Sequence, residues 1–182
     1  MSDEAKQAGP PDEEQTLAEG MKKLEEMIQD IEIAMLTSVD EDGALRSRPM
    51  ATQQRPFDGE LWFFTYAQSH KVLEINKDHH VNVAYAAPAK NRYVSVSGLA
   101  HLVTDKAKIH ALYNPVLKAW FPDGPETDGI ALLKITVSSA EYWDAPNNAM
   151  VKVAGLVKAT FTRQPYQPGE HDIIDLDRTV AF

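Results

Sequence analysis

The chain contains no cysteine, which excludes a disulfide framework, a thiolate zinc site and a redox thiol. No apolar run approaches the roughly 18 residues that a membrane-spanning helix needs, so no membrane partner is expected. Positive charge is scarce: 18 Lys and Arg face 27 Asp and Glu, for a net charge of −9. That balance argues against nucleic acid or an anionic membrane surface as a partner. Met1 to Gln15 is polar and acidic, without the apolar stretch of a secretory signal, and the cytoplasm is the expected compartment. The P-loop, G-x-G-x-x-G and G-x-S-x-G patterns are missing, which speaks against NTPase, dinucleotide-fold and serine-hydrolase readings. His79 and His80 are adjacent, and no H-x-H or H-x-x-x-H pair occurs, so no metal site is expected.

What is present suits one soluble domain. A chain of 182 residues, 43% hydrophobic and 25% charged, is long enough for a sizeable core and ordinary in composition. Residues 1–15, with Gly9-Pro10-Pro11 and several acids, read as a disordered tail. Thr16-x-x-Glu19 has the form of a capping box. Leu17, Met21, Leu24, Ile28 and Ile31 then follow at helical spacing, which predicts an amphipathic helix covering the domain. Ile33 to Val39 is a β-rich run. The turn signals at Asp40 to Gly43 and at Asp58-Gly59 join it to an Arg46 strand and then to Leu61 to Tyr66, which predicts an antiparallel meander. Ser69 to Asp78 reads as a short helix. Val81 to Tyr85, Val94 to Leu102, Leu133 to Val137 and Ala140 to Trp143 read as further strands, and Gly98 marks a bulge inside the second.

Asp105 to Tyr113 and Asn114 to Phe121 read as helices, with Trp120-Phe121-Pro122 either core or a lid. Asn147 to Thr160 suits a terminal helix or strand, and 161–182 reads as an extended arm beyond a domain at 16–160. Six or seven short strands with peripheral helices and no βαβ repeat predict a mainly β protein, a small antiparallel barrel.

The stretch from Arg46 to Lys71 carries the chemistry. Period two sets Arg46, Arg48 and Met50 on one strand face, a set that does not suit an apolar core. Pro49 removes a ladder N–H, so that strand is an edge or is distorted. Thr65 ends an aromatic strand, and Ser69 stands where a helix N-cap belongs. Lys71 falls in the first helical turn, where a cation opposes the helix dipole unless an anion sits there too. Helix amides, two hydroxyls, a lysine and an arginine together would make a phosphate site.

R-S-R-P-M-A (Arg46 to Ala51), F-F-T (Phe63 to Thr65) and S-H-K (Ser69 to Lys71) resemble the FMN-binding split barrel of the pyridoxamine 5'-phosphate oxidase superfamily. Within it they resemble the branch of general stress protein 26. The resemblance implies a six- to seven-stranded split β-barrel, FMN as cofactor and a homodimer with flavin at its interface. It implies that Arg46, Arg48, Thr65, Ser69 and Lys71 meet the phosphate and ribityl chain, with Ser47 and His70 inside the same motifs. His70 stands where the parent family often carries Arg. The distortion at Pro49 would leave the Met50 and Ala51 backbone for the flavin's pyrimidine edge, and Phe64 lies either near that pocket or in the barrel core. Tyr93 matches a polar position that reaches the flavin from the partner subunit. Trp143, in Glu141-Tyr142-Trp143, matches the tryptophan that flanks the isoalloxazine.

One departure bears on the reaction. The oxidases carry an R-x-H-x-R-like cluster after that tryptophan, holding the substrate phosphate. Here the run is Asn147 to Val153, with Ala149, Val151 and Val153 in place of the basic residues and Lys152 as its single cation. The resemblance therefore implies a flavin-dependent oxidoreductase of unspecified substrate, or a non-catalytic FMN-binding stress protein. A pyridoxamine phosphate oxidase proper is disfavoured, and no catalytic residue is assigned.

Overall fold

Helix α1 (Glu13–Ile28) and strand β1 (Ile33–Val39) open the fold of the computed structural model, which describes residues 13–145 and 170–176, with side chains from residue 16 onward. Leu24 and Met27 of α1 are fully buried, and Met21 and Ile28 pack beside them. The helical spacing read from the sequence therefore does face the core. The helix already includes Glu13, the first described residue, so Thr16-x-x-Glu19 lies within its turns rather than at its start. The capping pattern rests on residue type alone, while Glu13 and Glu14 themselves suit an earlier helical turn.

Strands β2 (Leu45–Ala51) and β3 (Glu60–Tyr66) follow, then helix α2 (His70–Lys77), β4 (His80–Ala87) and β5 (Arg92–Val103). Helix α3 (Lys106–Leu112) and two 3₁₀ turns (Pro115–Ala119 and Gly124–Glu126) lead to β6 (Ile130–Asp144) and, last among the described residues, β7 (Glu170–Asp175). The sheet is antiparallel in the order β2-β1-β4-β5-β6-β3, and β7 also pairs with β6. This curled seven-stranded sheet with covering helices is the split-barrel architecture expected. No helix among the described residues is long and apolar enough to cross a membrane.

Three elements differ from the sequence reading. Leu133 to Val137 and Ala140 to Trp143 are one continuous strand of 15 residues. Ser138 and Ser139, which read as a break, stay extended because the outer edge of β6 is used along its length. Its first half pairs with β3 and its second half with β7. The segment after Arg163 is not simply an arm, since Glu170–Asp175 is a sheet strand whose Ile174 packs against Gly20 of α1. Asn114 to Phe121 forms a 3₁₀ turn over Pro115–Ala119 rather than a helix through Phe121, although Pro115 does open it. The expected terminal element at Asn147 to Thr160 lies outside the described residues, as do most of the N-terminal tail and the Asn147 to Val153 run.

Gly98 is a point where the sequence was legible. The β5–β6 register shifts between Ser97 and Gly98. A Cβ at Gly98 would stand 2.4 Å from the Thr136 carbonyl oxygen, a separation that no side chain tolerates. Bulge and bend let β6 pair on both edges while Val96, Ala100 and Ile135 remain fully buried. Burying each Val, Leu or Ile of this core contributes about 1.5–3 kcal/mol.

Candidate functional site

The two end strands of the sheet, β2 and β3, belong to different edges and do not pair. A cavity of about 170 Å³ lies between Pro49, Met50 and Ala51 of β2 and Phe64, Thr65 and Tyr66 of β3. Lys71, Leu117, Trp120 and Phe121 close its sides. Sequence placed Pro49 at an edge or a distortion, and the edge is what the topology shows. The small cluster of Trp62, Phe64, Ile109, Leu117, Phe121 and Leu132 holds this wall rigid. Phe64 meets Tyr113 edge-on and Phe121 at a tilt, both at 5.9 Å, so it is core and pocket wall at once. Trp120 is 51% exposed, which removes the core reading and leaves it on the pocket rim, where its carbonyl accepts a 2.8 Å bond from the Tyr66 hydroxyl.

Three polar groups converge at the α2 end of this cavity. The Lys71 ammonium donates to Thr65 Oγ1 at 3.0 Å and to Ser69 Oγ at 3.4 Å, and the two hydroxyls are 3.1 Å apart. Ser69 holds the N-cap position of α2 but makes no side-chain cap bond. Its hydroxyl is turned to Lys71 and Thr65 instead of to the helix amides. Among the described residues no carboxylate pairs with Lys71. Burial, and then the nearby Arg48 guanidinium, push its ammonium below the usual 10.5, with Glu74 acting the other way. A half-buried cation on the first turn of a helix, bonded only to hydroxyls, is a site that favours an anion.

The neighbouring arginines are differently placed. Arg48 donates from Nη2 to Glu74 Oε2 at 2.8 Å and from Nη1 to Ser38 Oγ at 2.5 Å. Ser38 in turn donates to the same Glu74 oxygen at 2.5 Å. The Glu74 side chain is only 4% exposed. Burial alone would raise its carboxyl, but the Ser38 and Arg48 bonds outweigh that and hold it below the usual 4.5. His70 lies outside, its Nδ1 at 3.4 Å from Glu74 Oε1 and its side chain largely exposed. Arg46 is 61% exposed and donates to Asp40 at 2.7 Å. Together Asp40, Arg46, Arg48, His70, Lys71 and Glu74 line a second cavity that shares Lys71 with the first.

Of the remaining motif residues, Ser47 lies on the opposite strand face, bonded to the Thr37 hydroxyl at 2.7 Å, while Met50 is buried and Ala51 half-buried at the pocket. Tyr93 and Trp143 are not brought to this pocket within one chain. They pair across β5 and β6, whereas Thr65 pairs with Ala131 at the other end of β6. The dozen residues between span roughly 40 Å of strand at about 3.3 Å per residue. Phe121, read from sequence as core or lid, is both buried and on the pocket wall, whereas Glu74 and Leu117 belong to the site's surroundings and were not legible in the sequence. Glu74 reads there as an ordinary helix-face acid, and only the tertiary fold brings Ser38 and Arg48 to it. No cluster of three metal-ligating side chains occurs among the described residues.

Comparison with known proteins adds family to geometry. Residues 19–167 match the family model described as pyridoxamine 5'-phosphate oxidase like. Protein bli-3 of Neurospora crassa is 31% identical over 164 residues, covering 85% of this chain and 78% of that protein. The general stress FMN/FAD binding protein of Xanthomonas citri is 27% identical with a TM-score of 0.60, covering 72% of this chain and 92% of that one. A candidate general stress protein 26 from Jannaschia sp. CCS1 shares the fold, with a TM-score of 0.67 at 20% identity, over 88% of this chain and 99% of that one. The match over most of the domain, on a split sheet with Lys71 at its opening, means that this chain belongs to the pyridoxamine 5'-phosphate oxidase-like family.

Proposed function

We propose that this chain is an FMN-binding stress protein of that family, a flavin-dependent oxidoreductase working as a homodimer in the cytoplasm. The carrying observation is Lys71, a half-buried ammonium without a carboxylate, bonded to Thr65 and Ser69. A phosphate there would take the Lys71 charge, both hydroxyls and the α2 amides. The aromatic wall of Phe64, Tyr66 and Phe121 suits a flat ring and excludes water from it. The backbone of Met50 and Ala51, on an unpaired strand edge, is available to the ring's amide-like side. When bound, FMN supplies hydride or single-electron transfer, and the protein supplies binding, orientation and electrostatics.

Dimerisation is supported by two features. The cavity of about 170 Å³ between β2 and β3 is, on its own, smaller than the roughly 300–1,000 Å³ usual for ligand pockets, as expected of a site that a second copy completes. The outward sheet face also leaves Ile33, Met35, Leu45 and Leu99 exposed, an apolar surface of the kind that pairs with a second copy.

The test is a fluorescence-quenching titration with FMN and with riboflavin. Charge-assisted hydrogen bonds contribute about 1.5–3 kcal/mol each, so FMN should bind about 10²-fold more tightly or better. Equal affinities would refute the phosphate site. The second reading, a binder without turnover, draws on the sparse polar lining. Among the described residues it offers Lys71, Thr65 and Tyr66, and the Tyr66 hydroxyl is committed to Trp120. Stopped-flow reduction by NADH or NADPH separates the readings, slow reduction by every donor favouring the binder.

A further inference from the structure

The loop from Thr52 to Gly59, which joins β2 to β3, bonds its alternate side chains in opposite ways. Thr52 Oγ1 donates to the Ile31 carbonyl at 2.6 Å, and Gln54 Oε1 accepts from the Asp30 amide at 3.4 Å. These bonds tie the loop to the chain just beyond α1. Gln53 and Arg55, between and after them, are each bonded at one end of the head group only. Gln53 Oε1 accepts from Asn114 Nδ2 at 3.4 Å, while its own Nε2 is buried without an acceptor among the described residues. Arg55 Nη2 donates to Asp58 at 2.6 Å, while its Nη1 is left in the same state. Trp62 Nε1 is a third such donor. All three residues line one cavity of about 280 Å³, bounded by this loop, α1, the start of β3 and Tyr85 of β4. Tyr85 is 3% exposed, and its hydroxyl makes no hydrogen bond among the described residues. Burial alone pushes that phenol well above its usual 10.

A buried donor left unmet is a cost to folding, and four on one wall call for an occupant with acceptor atoms. The three nitrogens can only donate, so oxygens are what the wall requires. Anionic oxygens are disfavoured. The Arg55 charge is already met by Asp58, and Glu25, Asp30 and Glu60 share the lining. Lys90 and Lys134 offset Asp30 and Glu60, which leaves the Glu25 carboxylate uncompensated among the described residues. Ile28, Phe57, Leu61 and Phe63 make much of the remaining wall apolar. We propose that this cavity binds a neutral aromatic carbonyl compound, whose oxygens accept from Gln53, Arg55, Trp62 and Tyr85. Gln53 and Arg55 are half-buried on flexible stems, so their head groups can turn to an occupant. A cavity of this size, near the low end for ligand sites, suits one ring or two fused rings. Lys71 is not on its lining, and the proposal stands apart from the flavin reading.

The experiment is a calorimetric titration of the full chain with menadione, a neutral two-ring quinone, in excess FMN. The chain has no cysteine for a quinone to alkylate. Naphthoate has a similar two-ring frame with an anionic head, and naphthylmethylamine has one with a cation that only donates. Menadione should bind about tenfold more tightly than either. Tyr85→Phe removes a hydroxyl that has no partner in the fold. It should weaken menadione by about two- to tenfold, the net worth of one neutral hydrogen bond, while the urea midpoint holds or rises. Arg55→Met should weaken menadione by a similar factor. No binding, equal binding of the three compounds, or menadione affinity unchanged in both variants would overturn the inference and leave a cavity that holds water alone. Each of those results leaves FMN binding untouched. A chain that binds menadione but not FMN would support this site and overturn the flavin reading alone.

Discussion

Arg48 and Lys71 are neighbouring cations at one end of one pocket, and the fold treats them oppositely. Arg48 is committed to a buried carboxylate and a serine, so its charge is spent inside the protein. Lys71 is held by two hydroxyls, and its charge is left for something else. Sequence reading grouped both as phosphate ligands, because residue type and spacing say nothing about which cation already has an anion. On the function proposed above, the difference would give Arg48 to stability and Lys71 to binding, and it can be broken experimentally from either side.

The largest effect should come from Arg48→Ala. Removing one partner of a buried pair leaves Glu74 uncompensated, which costs about 3 kcal/mol of folding stability, the low end of the usual range because Arg48 keeps some exposure. Urea unfolding reads this directly, and an unchanged midpoint would show that water or His70 compensates Glu74. The same pair sets an acid limit. With its carboxyl held below 4.5 in the fold, Glu74 contributes stability that is present above that value and lost as pH falls through the folded value. Glu74→Gln should flatten this acid slope, and a slope as steep as the parent's would place the titration elsewhere.

Lys71→Met should do the reverse. FMN affinity should fall by about 10- to 100-fold, or roughly 1.4–3 kcal/mol. Folding stability should hold or rise, since a partly desolvated ammonium is replaced by an apolar chain of similar length. Because burial lowers the Lys71 ammonium below 10.5, FMN affinity should also begin to weaken with rising pH before that value is reached. A Lys71 variant that loses stability but keeps its affinity would exchange the two roles. The smallest effect belongs to Arg46→Ala. An exposed pair with Asp40 is screened and contributes little, so the unfolding midpoint should not move. FMN affinity should change by a few-fold at most, and less at high salt.

The parts legible in the sequence were those written in local chemistry. Ser69 and Lys71 at a helix start, Pro49 on an edge strand and Gly98 at a bulge each carry a backbone constraint that residue type reveals. The parts that were not legible depend on contacts between distant segments. Glu74 meets Arg48 and Ser38 only when α2 packs on β1 and β2. His171 meets Trp143 only because β7 returns to the outer edge of β6. Ser138 and Ser139 read in isolation as a break between two strands, yet remain in β6 because its outer edge is taken by β3 and then by β7. Similar limits apply to Trp120, which apolar composition alone would bury and the fold leaves on the rim.

The opening between β2 and β3 also has a meaning for quality control in the cell. Both are end strands, and an unpaired strand edge is a template for pairing with other chains. A flavin lying in that opening would cover both edges. Ligand present at 100 times its dissociation constant would also favour the folded state by about 2.7 kcal/mol. Cofactor supply would then govern how much of this chain escapes aggregation, so flavin scarcity would appear first as lost protein and only afterwards as lost activity.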